Sequence, residues 1–305
     1  MIWAQNRSVD NLTNQGVSLV FDNDILKPKN QTDQYYSFGQ MLSYYSVVNR
    51  QNNFFNKVFS PFRIDGKYVF QSELALLGYT PRQEDRQIID RQFAGILKLK
   101  NSLIVVSDNE FLKLSAEMGI RGRHSGADKF QESLHKLLDS EVLEGWETQL
   151  PSRILFNIYG SWSRSVFQRR YFDLIPEMNV AIGNNQTYIK PNLQARMGWF
   201  NDLDHTSFYQ TNIGSTTERK HNTEVYLLFQ FYGKLSIVDA TLNNERSTDG
   251  LIKAFHQNRV LGGYSLQFHV SGSHFDMFYK YHKATPISNI VPKHSYGTIG
   301  VAYRW

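Results

Sequence analysis

The 305 residues include no cysteine. That excludes a disulfide framework, a thiolate metal site and a cysteine nucleophile. No run approaches the roughly 18 consecutive apolar residues that a membrane-crossing helix needs. A helical membrane protein is therefore excluded. A β-barrel is not, because alternating strands average to a soluble-looking hydropathy; the mean hydropathy is −0.44. No dense run of Lys and Arg occurs either, which argues against a nucleic-acid tail despite a net charge of +5. A basic balance still points to an anionic partner, such as a phosphorylated lipid or an acidic surface. The opening MIWAQNRSVD has no charged segment leading into an apolar one, so no signal peptide is read there and a mature chain is expected.

Aromatic residues are plentiful, with 17 Tyr, 21 Phe and 5 Trp. They suit the interfacial girdles of a membrane barrel, and equally a soluble β-sandwich or sugar-binding protein. Period-two alternation decides more. Ile154, Phe156, Ile158 and Trp162 alternate with Asn157, Tyr159, Ser161 and Ser163. Tyr264, Leu266, Phe268 and Val270 alternate with Ser265, Gln267, His269 and Ser271. The chain closes on Ile299, Val301, Tyr303 and Trp305 on one face of a strand. Strands of about ten residues match a tilted bilayer crossing, and bacterial barrels commonly end on an aromatic. The expectation is one transmembrane antiparallel β-barrel over residues 1–305 in the bacterial outer membrane. About twelve strands are read, near 16–24, 37–48, 67–78, 90–101, 108–119, 151–163, 171–183, 187–199, 222–243, 258–271, 273–284 and 295–305. The segment 222–243 is one strand or a hairpin at Gly233; an even strand number favours one strand.

One segment departs from alternation. ADKFQESLHKLL, from Ala127 to Leu138, spaces Phe130, Leu134, Leu137 and Leu138 as a helix does. This short helix is expected to dock by those apolar residues, with His135 beside the docked face. Three long polar segments join odd strands to even ones and so share one rim. They follow strands one, three and five, and hold the candidate chemistry, within about 22–150. The longer loops of such barrels face outward, so this rim is expected to be extracellular. Asp22, Asn23 and Asp24, with Ser37, offer oxygens that suit a hard cation, although Asp-Asn-Asp at a strand end is also a plain turn. A helical His such as His135 is a candidate general base and equally an ordinary structural residue. His124, His205 and His221 lack comparable surroundings.

Four stretches resemble the outer-membrane lipid A 3-O-deacylases, a family of twelve-stranded barrels. FDNDIL is similar to its Asn-Asp pair on the first strand, and TDQYYSFGQMLSYY to its Asp-x-x-Tyr-Thr-x-Gly motif, with Ser37 for Thr. YTP followed by DRQFAG is similar to its Tyr-Thr-Pro and Asp-Arg-Pro-Tyr-Ala-Gly motifs. MGIRG, QESLHKLL and GWETQL are similar to its Gly-x-x-Gly, Gln-x-x-x-His and Gly-Trp-x-x-Gln elements. Order and spacing agree over about 17–150; beyond that only the strand pattern agrees. Gln92 and Arg123 replace prolines of the family pattern, which bears on loop shape.

The resemblance implies Ca²⁺-dependent hydrolysis of an ester-linked 3-O-acyl chain of lipid A in lipopolysaccharide. It implies His135 as general base, and Asn23 and Asp24 holding the cation or ordering water. Ser37 would hydrogen-bond within the site. Gln131 and Glu141 are further candidate metal contacts. Asp90 and Arg91 would brace the rim as an ion pair, and Arg82, Arg86, Arg121 and Arg123 would meet lipid phosphates. Lipid A and outer-membrane lipid are the expected partners, the chain a monomer. Two alternatives stay open: a non-enzymatic barrel acting as pore or adhesin, and an esterase or phospholipase using Ser37 as nucleophile.

Overall fold

A computed structural model of the protein describes residues 13–23, 26, 35–81, 91–137, 139, 143–214, 219–242, 257–287 and 293–305. Twelve long strands form the wall. They are β1 (Gln15–Asn23), β2 (Tyr35–Val48), β3 (Lys67–Thr80), β4 (Ala94–Val106), β5 (Glu110–Arg121) and β6 (Arg153–Arg164), then β7 (Phe172–Gly183), β8 (Gln186–Trp199), β9 (Glu224–Asp239), β10 (Val260–Ser271), β11 (Phe275–Ala284) and β12 (His294–Arg304). Every neighbouring pair is antiparallel. β1 pairs with β12, and β6 with β7, so the sheet closes. A three-residue strand, Phe167–Arg169, only edges β7. The segment holding Gly233 is a single 16-residue strand, as the even count requires.

The alternation resolves into two faces. Ile154, Phe156 and Ile158 lie exposed on the outside, as do Ile299, Val301, Tyr303 and Trp305. Their neighbours Asn157, Ser163, Gln267 and His269 are buried inside. Apolar residues thus face outward and polar ones inward, the inverse of a soluble core and the arrangement lipid demands. The interior is ionic: Lys98 pairs with Glu117 at 3.0 Å, Lys100 with Glu73 at 2.6 Å, and Arg196 with Asp173.

Described residues fill part of the lumen near each rim. At the rim shared by the start of β1 and the end of β12, the β8–β9 connection folds inward. Lys67 Nζ donates to the carbonyls of Thr211 and Ile213, each at 2.7 Å. Arg304 donates to Asn212 O at 2.6 Å. Tyr209 stacks on Phe111 with centroids 4.1 Å apart. At the opposite rim Ala75, Leu77, Ile96, Leu155 and Ala240 pack into one buried apolar cluster. Between them the lumen holds a polar cavity of about 480 Å³.

Two elements depart from expectation. β4 runs four to five residues later than the sequence reading placed it. Ile104 and Val106 face an apolar cluster inside, and Leu103 and Val105 pack under a helix outside, so alternation fades there. That helix is α1 (Asn53–Phe59), in the β2–β3 connection. It was not anticipated.

Candidate functional site

The expected rim helix exists as α2 (Ala127–Leu137), but it docks by another face. Ala127, Gln131 and His135 are its buried residues, whereas Leu137 is 80% exposed. The i, i+4, i+8 row that turns to the wall is thus mostly polar, and the apolar residues flank it. The polar face outside carries the Glu132–Lys136 pair at 2.6 Å, in which the ammonium holds the Glu132 carboxyl below its usual range.

α2 lies against the outside of the barrel, not over its mouth. On β3, exposed Leu74 fixes the outer face, which by alternation includes Gly78 and Thr80. Exposed Leu99 does the same on β4, and places Gly95 outward. A Cβ on Gly95 would lie 2.3 Å from Ser125 Oγ and 2.6 Å from Ala127 Cβ, so glycine lets the helix start in contact with the wall. Gly122 is needed too: its φ is +93°, and a Cβ would meet Leu150 O at 2.8 Å. Phe38 and Phe130 meet at 5.2 Å, Phe93 and Trp146 at 5.0 Å, and these rings join Ala127 in one apolar cluster. Trp146 Nε1 donates to Gln131 Oε1 at 2.6 Å. This bond ties the Gln-x-x-x-His segment to the Gly-Trp segment.

The first strand divides its candidates. Asp22 faces the lumen, where Tyr36 Oη donates to its carboxylate at 2.8 Å. Asn23, one residue on, falls on the outer face, 5% exposed, between Phe38 and Gly297 in register. Asp22 is thereby removed from the expected oxygen cluster. A bulge between Tyr36 and Phe38 turns Tyr36 inward and leaves Ser37 and Phe38 on the outer side. Bulges commonly re-aim side chains beside sites. Ser37 is fully buried, its hydroxyl 2.6 Å from that of Thr80. Asn23, Ser37, Thr80, Gln131 and His135 therefore share one patch of outer wall, roofed by α2. Thr80 and Trp146, which the sequence motifs contain, each hold a candidate residue: Thr80 by its hydroxyl beside Ser37, Trp146 by its indole on Gln131.

Asp24, Arg82, Arg86, Asp90 and Glu141 lie outside the described residues. Among the described ones, no group of three or more His, Asp or Glu is placed to hold a metal. The phosphate role expected of Arg121 fails: it is 1% exposed and donates to Ala240 O at 2.6 Å and Pro151 O at 3.2 Å. Arg91 is likewise 5% exposed, donates to Thr241 O at 3.1 Å and Tyr35 O at 3.3 Å, and covers the Tyr79 ring. Both arginines pin rim connections together. Arg123 alone of the described candidates stays exposed. It shares a cleft of about 310 Å³ with Asp128 and Glu147, an acidic setting that does not favour phosphate.

A closed barrel with an apolar outer wall, an ionic bore and a helix-roofed polar patch on its lipid-facing side defines an outer-membrane β-barrel protein of the kind that works at the bilayer surface. The model of the family described as Outer membrane protein LpxR matches residues 1–305, so the chain belongs to that family, the lipid A 3-O-deacylase family its motifs resemble. Among solved structures, LpxR from Salmonella typhimurium superposes with a TM-score of 0.75 at 14% identity, covering 95% of this chain and 100% of that one. The β domain of the Bordetella autotransporter BrkA gives 0.49 at 8% identity, covering 95% and 98%. No curated protein sequence matches.

Proposed function

We propose that the chain hydrolyses the ester-linked 3-O-acyl chain of lipid A in a Ca²⁺-dependent reaction. One observation carries this reading: Asn23, Ser37, Gln131 and His135 lie on the outer side of the wall, buried beneath α2, rather than in the bore. Acyl chains of a membrane lipid lie along that wall, so a lipid ester approaches the patch from the bilayer side once α2 gives way.

His135 accepts the proton of the attacking water and later returns it to the departing sugar oxygen. The products are a free fatty acid and lipid A with a free hydroxyl. Gln131 and Trp146 set the angle of the helix that carries His135. Ser37 and Thr80 fix the bulge beside Asn23. The donor chemistry fits a hard cation: Asn23 and Asp24 offer amide and carboxylate oxygens, and the chain has no thiolate. When bound there, Ca²⁺ supplies positive charge to the ester carbonyl and to the oxyanion that develops on it. Gln131 fits that set less well, because its carbonyl already accepts the Trp146 indole. All these residues come from one chain, so a monomer suffices.

The two alternatives are less well supported. A serine nucleophile needs a base at its hydroxyl, and the partner of Ser37 is the hydroxyl of Thr80. A pore needs an open bore, and the inward β8–β9 connection held by Lys67 and Arg304 obstructs this one. The test is fatty-acid release from lipid A by purified protein, titrated with Ca²⁺ after chelation. Release that returns with Ca²⁺ supports the reading; release indifferent to chelation removes the cation from it.

A further inference from the structure

α1 sits at the rim opposite the candidate site, and it sits outside the barrel. Phe55 and Phe59 pack on Leu103, Val105, Leu112 and Leu114. On β4 and β5 these positions share a face with exposed Leu99 and Met118, which is the lipid-facing one. Tyr68, packed 5.5 Å from Phe55 and 5.8 Å from Phe59, belongs to that face of β3. The helix is fixed in place: Asn52 Oδ1 accepts from the backbone of Phe54 at 3.0 Å and Phe55 at 3.2 Å, and Tyr68 Oη donates to Asn56 at 2.9 Å.

A helix laid on the wall where lipid should be must itself meet the bilayer edge. Its free side has the chemistry for that. Phe54 is 61% exposed and Phe62 48%. Lys57 and Arg63 are exposed and pair with no carboxylate among the described residues, while Arg50 is balanced by Asp65 at 3.1 Å. Aromatic rings beside unbalanced cations form an interfacial element for a negatively charged lipid surface. By the orientation that places the long loops outside, this rim faces the periplasmic leaflet.

We propose that the α1 connection is an interfacial anchor that inserts Phe54 and Phe62 into the periplasmic leaflet and holds anionic phospholipid through Lys57 and Arg63. The anchor is separate from the deacylation reading and stands or falls without it. The absence of cysteine makes the test clean, because a nitroxide on Phe54→Cys in the full chain is the single label. In bilayers containing phosphatidylglycerol, the label should be relaxed by oxygen as strongly as one on Ile158→Cys, a wall residue 68% exposed. Each cation at an anionic leaflet is worth roughly a fivefold change in partition. The double variant Lys57→Gln, Arg63→Gln should therefore retain at least about fivefold less phosphatidylglycerol after extraction, with phosphatidylcholine unchanged. Relaxation by an aqueous nickel chelate instead of oxygen overturns the proposal. So does dipolar broadening between labels, which would mean a second copy covers the helix, or equal phosphatidylglycerol retention by the double variant.

Discussion

Replacing Trp146 by Phe isolates the bond that ties α2 to its own loop. The phenyl ring keeps most of the packing against Phe93, 5.0 Å away, and loses only the indole N–H. That N–H is 2.6 Å from Gln131 Oε1, and Gln131 is 2% exposed, so water does not readily replace the donor. A buried acceptor stripped of its partner costs about 1–3 kcal/mol. If that cost falls on the docked helix, the fraction of molecules with His135 aligned drops by roughly fivefold to 150-fold. The expected result is a fall in kcat near tenfold with KM little changed, because acyl chains still lie along the same wall. Fatty-acid release reads the rate. A nitroxide on Leu137→Cys, 80% exposed on α2, reads the helix independently and should become more mobile. Full activity, with the label as immobile as before, would show that the bond does not position His135.

Other consequences can be checked in the same way. Gly95→Val should cut activity sharply while the barrel stays heat-modifiable on a gel, because its Cβ would collide with Ser125 and Ala127 at the helix start. Ser37→Ala removes one hydroxyl bond, worth about 1 kcal/mol, so activity should fall by roughly tenfold or less; complete loss with labelling of Ser37 by a serine probe would favour a covalent mechanism. In planar bilayers the wild type should not conduct, and Lys67→Met should, since Lys67 holds the inward connection by its carbonyls. The same closure should weaken in acid. Burial, with Lys67 and Arg219 nearby, pushes His205 from its usual 6.5 down to about 3. The open connection then binds more protons than the closed one between those values. The His205 contribution is therefore complete above about pH 6.5 and erodes as pH falls toward 3; burial of Asp204 raises its carboxyl, and that acts in the opposite sense. Current appearing first at high pH would contradict this.

The wall was legible in the sequence wherever one face met lipid and the other the bore, as in β6, β10 and β12. It blurred at Leu103–Val106, where α1 covers the outside and an apolar cluster fills the inside. α1 escaped notice because its signal is only Phe55 and Phe59 behind an Asn52 cap, too short for a clear period. The inward connection holding Tyr209 and Asn212 is polar and reads as loop; its order comes from Lys67 and Arg304, far away in sequence, and from Arg196 at the end of β8. Within the site, motif order names candidate residues but not their sides of the wall. Asp22 and Asn23 are adjacent, yet alternation sends one into the bore and the other to the lipid face. The docked face of α2 was misjudged for a related reason: Gln131 is buried because Trp146 satisfies it, which hydrophobic spacing does not reveal.

The most direct test of a lipid A ester hydrolysed on the outer wall by His135 is mass spectrometry of lipid A after incubation with Ca²⁺ and either wild type or His135→Ala. A positioned general base contributes about 10²–10⁴-fold. The wild type should remove the mass of one ester-linked acyl chain, and the variant should leave lipid A intact over the same interval while keeping a heat-modifiable barrel. Unchanged lipid A with the wild type, or equal acyl loss with His135→Ala, would contradict the account.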